Sequence, residues 1–336
     1  MSINTDTVAR KRYYAYQDVS DYAYRIQVKE NALDLLRWAL GRVLVGAVGT
    51  GDCQLAGRKF GLSRRMLEIC LDLGFPVFVL ERSPLVLRDL DLLQAIDDTA
   101  AAAVAFSIIS TPDSPHYRRV CELERLAPPA HKRFAAMEQL ARAGILVGTC
   151  MMPILPDLCD DDANLQYVVK WTAEHGGQFV LAGALTMADQ QRDFFLGVLD
   201  ERFPDLADRY RSLYPAGSYG PARGDWRPIA LRLKELCEQY GISDRMPRPI
   251  IPGDKRTLNK LVVEALADQV YYMELAGEPA HRVWAYRKAA WAIEDTEQDL
   301  GLVYRQMGRK GLESIEGIGP SLALVVERLL KGWMSG

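Results

Sequence analysis

Two glycines one residue apart, Gly317 and Gly319, sit in the run Ile315-Glu316-Gly317-Ile318-Gly319-Pro320-Ser321, which apolar residues at helical spacing enter and leave. Glycine accepts the backbone of a tight hairpin and, having no Cβ, lets neighbouring N–H groups approach an anion. The N-terminus of the helix that follows adds free N–H groups and the positive end of its dipole. Phosphate is the ligand this chemistry suits. Cations stand at usable spacing: Arg282, Arg287 and Lys288 upstream, then Arg305, Arg309 and Lys310 just before the turn. The same pattern also fits an ordinary connector between two helices closed by a glycine C-cap. Each cation, taken singly, also fits a solvated helix face.

The residues upstream bear on that choice. Asn259-Lys260 through Ala276-Gly277, then Ala280-His281-Arg282-Val283-Trp284-Ala285-Tyr286-Arg287-Lys288-Ala289-Ala290, together with the hairpin, resemble the N-terminal lyase domain of family X DNA polymerases, the domain found in DNA polymerase beta. The resemblance covers about the last quarter of the chain. It implies a small all-α helix-hairpin-helix unit that binds gapped or nicked DNA by its phosphate backbone. The expected contact set is Arg282, Arg287, Lys288, Lys310, Gly317, Ile318, Gly319 and Ser321, of which Arg282 and Lys288 match basic positions of the family. Some members also remove a 5'-deoxyribose phosphate through a lysine Schiff base. The position that would carry this lysine, two beyond Ala323, is Val325, which has no amine to form an imine; a second phosphate-binding lysine of the family falls on Ser321. The expectation is a DNA-binding module without catalysis of its own. From Lys255 to Gly336 there are eleven Lys and Arg against eleven Asp and Glu, whereas strong electrostatic binders of nucleic acid are basic, so the expected affinity is modest.

These elements belong to a chain of 336 residues, 49% hydrophobic and 25% charged with net charge −3, enough for two globular domains. No apolar run is long enough to span a bilayer, and residues 1–12 lack the apolar core of a signal peptide, so the expected compartment is the cytoplasm. Cys53, Cys70, Cys121, Cys150, Cys159 and Cys237 are dispersed, with no short ligand spacing, and read as small buried hydrophobes rather than a disulfide framework or local metal site. A Gly- and Pro-rich stretch from Pro215 to Pro228 leads to an amphipathic helix, Ile229 to Tyr240. Met246 to Asp254 then reads as an extended, semi-rigid linker. The expected domains are therefore 1–251 and 252–336.

In the first of these, short apolar runs alternate with amphipathic segments at the spacing of repeated βα units. Strands are expected at Val43 to Val48, Val77 to Leu80, Ala103 to Ile109, Ile145 to Met151 and Phe179 to Leu185. Helices are expected at Ala32 to Leu40, Ser63 to Leu73, Arg88 to Ala95, Ala130 to Ala143, Asp162 to His175 and Ala188 to Arg202. Parallel strands place function at their C-terminal ends, which puts Gly49 to Asp52, Glu81 to Ser83, Ser107 and Pro153 to Pro156 in view. Val28 to Ala32, Phe60 to Arg65, the run Ser83-Pro84-Leu85-Val86-Leu87-Arg88-Asp89-Leu90-Asp91-Leu92-Leu93, Ala143 to Ile145 and Met152 to Pro156 resemble the radical SAM proteins related to spore photoproduct lyase. That resemblance implies an α/β fold, a partial (βα)6 TIM-like barrel. It also implies a four-iron, four-sulfur cluster held by a C-x-x-x-C-x-x-C motif, S-adenosylmethionine as cofactor, and radical repair of a lesion in DNA. Ser83, Ser107 and Glu124 are the positions it offers for S-adenosylmethionine.

The chain departs from the family at its chemistry. Lys11-Arg12-Tyr13-Tyr14-Ala15-Tyr16 stands where the cluster motif belongs, no cysteine precedes Cys53, and residues 1–12 are too polar for the first strand. Iron needs thiolates that tyrosine does not replace. Gly51-Asp52-Cys53-Gln54-Leu55-Ala56-Gly57 likewise lacks the tyrosine and the glutamate the family carries there. Neither cluster nor S-adenosylmethionine is therefore expected in this chain. Three accounts stay open: a truncated radical SAM enzyme, a degenerate barrel kept as a DNA-associated scaffold, or ligands gathered from distant segments. Glu124 and Arg133 read as a nucleoside-positioning or a surface pair, and more readily the latter. His116, His131, His175 and His281 have no second ligand at helical spacing. Asp160-Asp161-Asp162 reads as a helix start capped by Asp162. Tyr13, Tyr14, Tyr16, Tyr22 and Tyr24 offer either base stacking or a cap over a barrel end. The function expected is a DNA-repair-associated protein of the spore photoproduct lyase-like kind with its cluster chemistry lost. A non-catalytic nick- or gap-binding protein and a deoxyribose-phosphate lyase are the alternatives.

Overall fold

Runs rich in Val, Ala and Leu become five strands: β1 (Val48–Gly51), β2 (Val77–Glu81), β3 (Ala102–Ser107), β4 (Leu146–Ile154) and β5 (Phe179–Ala184). The computed structural model describes residues 31–42, 48–51, 61–125, 127–187, 189–221, 226–251 and 253–334. The strands pair in sequence order, each neighbour parallel. Parallel neighbours cannot be joined by a hairpin, so helices make the crossovers. After α1 (Ala32–Leu40), α2 (Leu62–Asp72) links β1 to β2, and α3 (Leu90–Thr99) links β2 to β3. Next, α4 (Tyr117–Leu123) and α5 (Ala130–Arg142) link β3 to β4, and α6 (Asp162–Glu174) links β4 to β5. Three helices follow, α7 (Asp189–Arg202), α8 (Pro204–Leu213) and α9 (Arg227–Tyr240).

An order without reversal lays the helices on one face of the sheet when every crossover has the usual right hand. Val77, Val79, Val104, Phe106 and Val147 bury there against Leu67, Leu93, Ile96 and Phe134. Met151 and Val180 bury against Val168, Leu206 and Leu236. The other face carries a thinner cluster, Ala105, Cys150 and Phe179 with Phe78, Leu146 and Leu181, and Leu80 is 37% exposed. Gly148 is required on it, because a Cβ there would lie 2.6 Å from the Phe179 ring and 2.4 Å from its carbonyl oxygen. The fold is thus mixed α/β with a parallel sheet, as expected, followed by an all-helical unit. The sheet has five strands among the described residues, and closure toward a six-stranded barrel is not part of what it shows. The strand expected at Val43 to Val48 falls largely outside the described residues, where the chain is described as β only from Val48 to Gly51. The cap of α6 is Asp161, not Asp162: its carboxylate accepts from Asn164 N at 2.9 Å, one residue earlier than the acidic run suggested.

The chain divides into two compact units, Met1–Met246 and Pro247–Gly336. The second unit is helical: α10 (Thr257–Leu275), α11 (Ala280–Asp295), α12 (Leu300–Met307), α13 (Arg309–Glu313) and α14 (Pro320–Met334). Val262, Leu266, Ala289, Ile293, Leu300, Leu312, Ile318, Ala323, Val326 and Leu330 form its core. Asn259, buried on α10, holds the α11–α12 turn by donating to the Gln298 carbonyl at 2.8 Å and accepting from Leu300 N at 2.9 Å. The stretch after Met246, expected as an extended, semi-rigid linker, is pinned to the second unit. Arg248 makes a bidentate pair with Glu294 of α11 at 2.6 and 2.7 Å, its N–H donates to Glu264 of α10 at 2.7 Å, and Asp254 pairs with Lys260. Such forked pairing fixes orientation as well as position.

Candidate nucleic-acid interface

The turn between α13 and α14 closes with Ile318 N donating to the Ile315 carbonyl at 3.0 Å. Gly317 takes φ +86°, in the left-handed region, and a Cβ there would meet nothing nearer than Ala292 at 3.8 Å, so conformation and not space calls for glycine. Ile318 is 3% exposed and plugs the turn into the core. Gly319 differs from its neighbour. Its φ is outside the left-handed region and no atom lies within 4 Å of a Cβ built on it, so the fold requires glycine there for neither reason. It precedes Pro320, the first residue of α14, and Ser321 is exposed in the first turn, whose N–H groups a helix leaves without an internal acceptor. The turn therefore combines an anchored isoleucine, a glycine that sets the bend and an open glycine beside a helix N-terminus.

Cations divide into free and committed. Lys288, Arg305 and Lys310 are exposed and make no ion pair among the described residues. Lys288 lies beside the turn, its carbonyl oxygen being 4.0 Å from a Cβ placed on Gly317. Arg282 is paired with Glu278 at 3.0 Å, and Arg287 with Glu274 at 2.7 Å, its guanidinium 5.0 Å from the Trp284 ring centroid. Exposed pairs of this kind are weak, so a phosphate can exchange for either carboxylate. Arg309 is committed more firmly. It and Lys331 hold the buried Glu327 at 2.6 and 3.0 Å, and Tyr304 donates to the same carboxylate at 2.8 Å. Lys331, Tyr304 and Arg309 together pull the Glu327 pKa down to about 2. This clasp joins α12, α13 and α14 and so fixes both sides of the hairpin. A reading by charge and glycine passes over Glu327, and also over Trp284 and Trp291, whose seven-residue spacing on one helix face was the available signal.

In the first unit, Ser83, Ser107 and Glu124 each follow a strand or its crossover. The Ser83 hydroxyl accepts from Leu85 N at 3.2 Å and starts a 3-10 turn at Pro84–Asp89. Arg133 brings the other two together: it donates to the Ser107 carbonyl and, at 2.8 Å, to Glu124. Arg133 is 4% exposed, so Glu124–Arg133 is a buried brace at the end of β3, not the surface pair its sequence positions suggested. The described buried thiols do not gather as a ligand set for an iron–sulfur cluster: Cys70, Cys150 and the pair Cys159 and Cys237 lie in three separate core clusters, where burial pushes the first two up to about 11 and the last two up to about 12. Among the described residues no three His, Cys, Asp or Glu side chains gather as a metal site. Residues 11–16, Cys53 and the tyrosines from Tyr13 to Tyr24 lie outside the described residues.

Residues 257–334 match the helix-hairpin-helix domain family. Over 246 residues the chain is 26% identical to uncharacterised proteins of Mycobacterium bovis (strain ATCC BAA-935 / AF2122/97) and Mycobacterium tuberculosis (strain ATCC 25618 / H37Rv), covering 70% of this chain and 70% of each. An uncharacterised protein of Acidianus two-tailed virus is 26% identical over 143 residues, 42% of this chain and 46% of its own. No solved structure matches. The family match is thus to a fold that generally binds DNA, and it is confined to the second unit. Among the described residues no helix is long and apolar enough to cross a membrane.

Proposed function

We propose that the chain is a DNA-binding protein whose second unit grips the phosphate backbone at a nick or gap, without chemistry of its own. The observation that carries this reading is the open side of the hairpin. Gly319, with no fold requirement for glycine, stands beside the first turn of α14, within the stretch that matches the helix-hairpin-helix family and that also carries exposed, unpaired Lys288 and Lys310. A phosphate placed there accepts from N–H groups at the helix N-terminus, with the two lysines as the cations this reading assigns to the backbone. Contact by those two lysines alone implies shallow salt dependence, a log–log slope of roughly −2, steepening toward about −4 if Arg282 and Arg287 exchange their carboxylates for phosphate.

Gly319→Val supplies the test because a Cβ at this position meets no protein atom within 4 Å. Fluorescence anisotropy on labelled nicked duplex should show about tenfold weaker binding by this variant, the scale of one charged hydrogen bond, with thermal stability close to wild type. Undiminished binding would rule the hairpin out.

For the first unit we favour a scaffold reading, with the radical SAM resemblance as ancestry. It is supported by the Ser83 to Leu93 run and by parallel strands in sequence order, and it has Ser83, Ser107 and Glu124 at the strand ends where a nucleoside would lie. The described buried thiols lie in three separate core clusters and offer no compact set of cluster ligands. Recovery of about four irons per chain after anaerobic reconstitution would overturn the scaffold reading. Schiff-base lyase chemistry stays disfavoured: the position of the nucleophile is Val325, packed against the core.

A further inference from the structure

Trp284 and Trp291 are 46% and 55% exposed on α11, with ring centroids 6.0 Å apart in an edge-to-face arrangement. The core takes α11 from its other side, through Ala289, Ala290 and Ile293, so these indoles do not serve it. Residues 284, 288 and 291 share a helix face by their spacing, which puts Lys288 on the same face as the rings, and Arg287 lies 5.0 Å from the Trp284 centroid. This surface is continuous with the hairpin, since the atoms nearest to a Cβ on Gly317 belong to Ala292 and Lys288.

Half-exposed indoles flanked by cations, running into the turn proposed to hold phosphate, have the chemistry of a site for unpaired nucleobases. Each base presents a π face to an indole while its phosphate meets a lysine. We propose that Trp284 and Trp291 form a stacking platform for unpaired bases of single-stranded DNA leading into the hairpin. This rests on the backbone-binding reading above and sharpens it: a nick offers no unpaired base and a gap does, so the platform makes gapped DNA the preferred ligand. The flanking cations and the continuity with the hairpin favour DNA over a protein partner on this face.

The test titrates the full-length protein against three labelled DNAs: a nicked duplex, a duplex with a short gap of unpaired thymines, and the same gap built of abasic residues. Wild type should prefer the thymine gap. Trp284→Leu and Trp291→Leu, which keep apolar bulk at exposed positions, should each lose about fivefold or more on the thymine gap and nothing on the other two, whereas Trp→Phe at either site retains most of the affinity. Leu variants that bind the thymine gap like wild type, or that lose equally on all three DNAs, would overturn the platform. So would a concentration-dependent dimer abolished by the same variants, with DNA binding indifferent to the bases. Gly319→Val reports separately: full binding of all three DNAs by that variant means the hairpin reading has failed, while the difference between thymine and abasic gaps decides the platform by itself.

Discussion

Single residues show where sequence and structure part. Gly317 and Gly319 look interchangeable in sequence, yet one is demanded by its φ of +86° and the other by nothing within the protein. That difference is not legible in a sequence, because it depends on backbone torsion and on what surrounds a missing Cβ. Arg133 teaches the same lesson from the opposite direction. Nine residues separate it from Glu124, on a different helix, and only the fold carries both to the end of β3, where the guanidinium is 4% exposed and also holds the Ser107 carbonyl. Arg133→Leu leaves Glu124 without its counter-charge, and urea denaturation should report a loss of about 3–5 kcal/mol, while Arg133→Leu combined with Glu124→Leu should recover much of it. Equal stability of the single and double variants would show that the pair is not coupled.

At the level of elements, periodicity carried most of the information. Alternating apolar runs located β2 to β5 and their crossover helices except the short α4, and the Gly-x-Gly-Pro run located the hairpin, because each signal is local. The anchoring of the linker is not legible for a non-local reason: three prolines from Met246 to Pro252 say extended, and Arg248 finds Glu294 forty-six residues later. The clasp on Glu327 is equally invisible, since its partners Tyr304, Arg309 and Lys331 come from three helices. It makes the second unit acid-sensitive. A carboxylate whose pKa falls from its ordinary 4.5 to about 2 on folding contributes stability that is complete above about pH 5 and is lost as pH drops through the interval down to 2. Thermal melts between pH 6 and pH 2 should show this loss, and Glu327→Gln should be less stable at neutral pH with a flatter acid limb. An unchanged acid limb in that variant would remove Glu327 as the cause.

For the molecule as a whole, charge is informative by its placement. Lys255 to Gly336 is neutral, so the net −3 of the chain resides in the residues before it, and no global field draws the protein to DNA. Binding must come from the local arrangement of α11, α13 and α14. Residues 247–336 produced alone should therefore bind nicked DNA within about twofold of the full chain and with the same salt slope. A fragment that folds but binds tenfold more weakly would place essential contacts in the first unit. The open glycine, finally, sets stability against use. Asp in place of Gly319 would cap α14 and complement its dipole, adding about 0.3–1 kcal/mol to the free protein while occupying the phosphate position with negative charge. If the hairpin grips phosphate as proposed, a directed-evolution screen for heat resistance alone would enrich chains with weakened DNA binding, and the persistence of glycine at this site under such a screen would argue that something other than a ligand keeps it there.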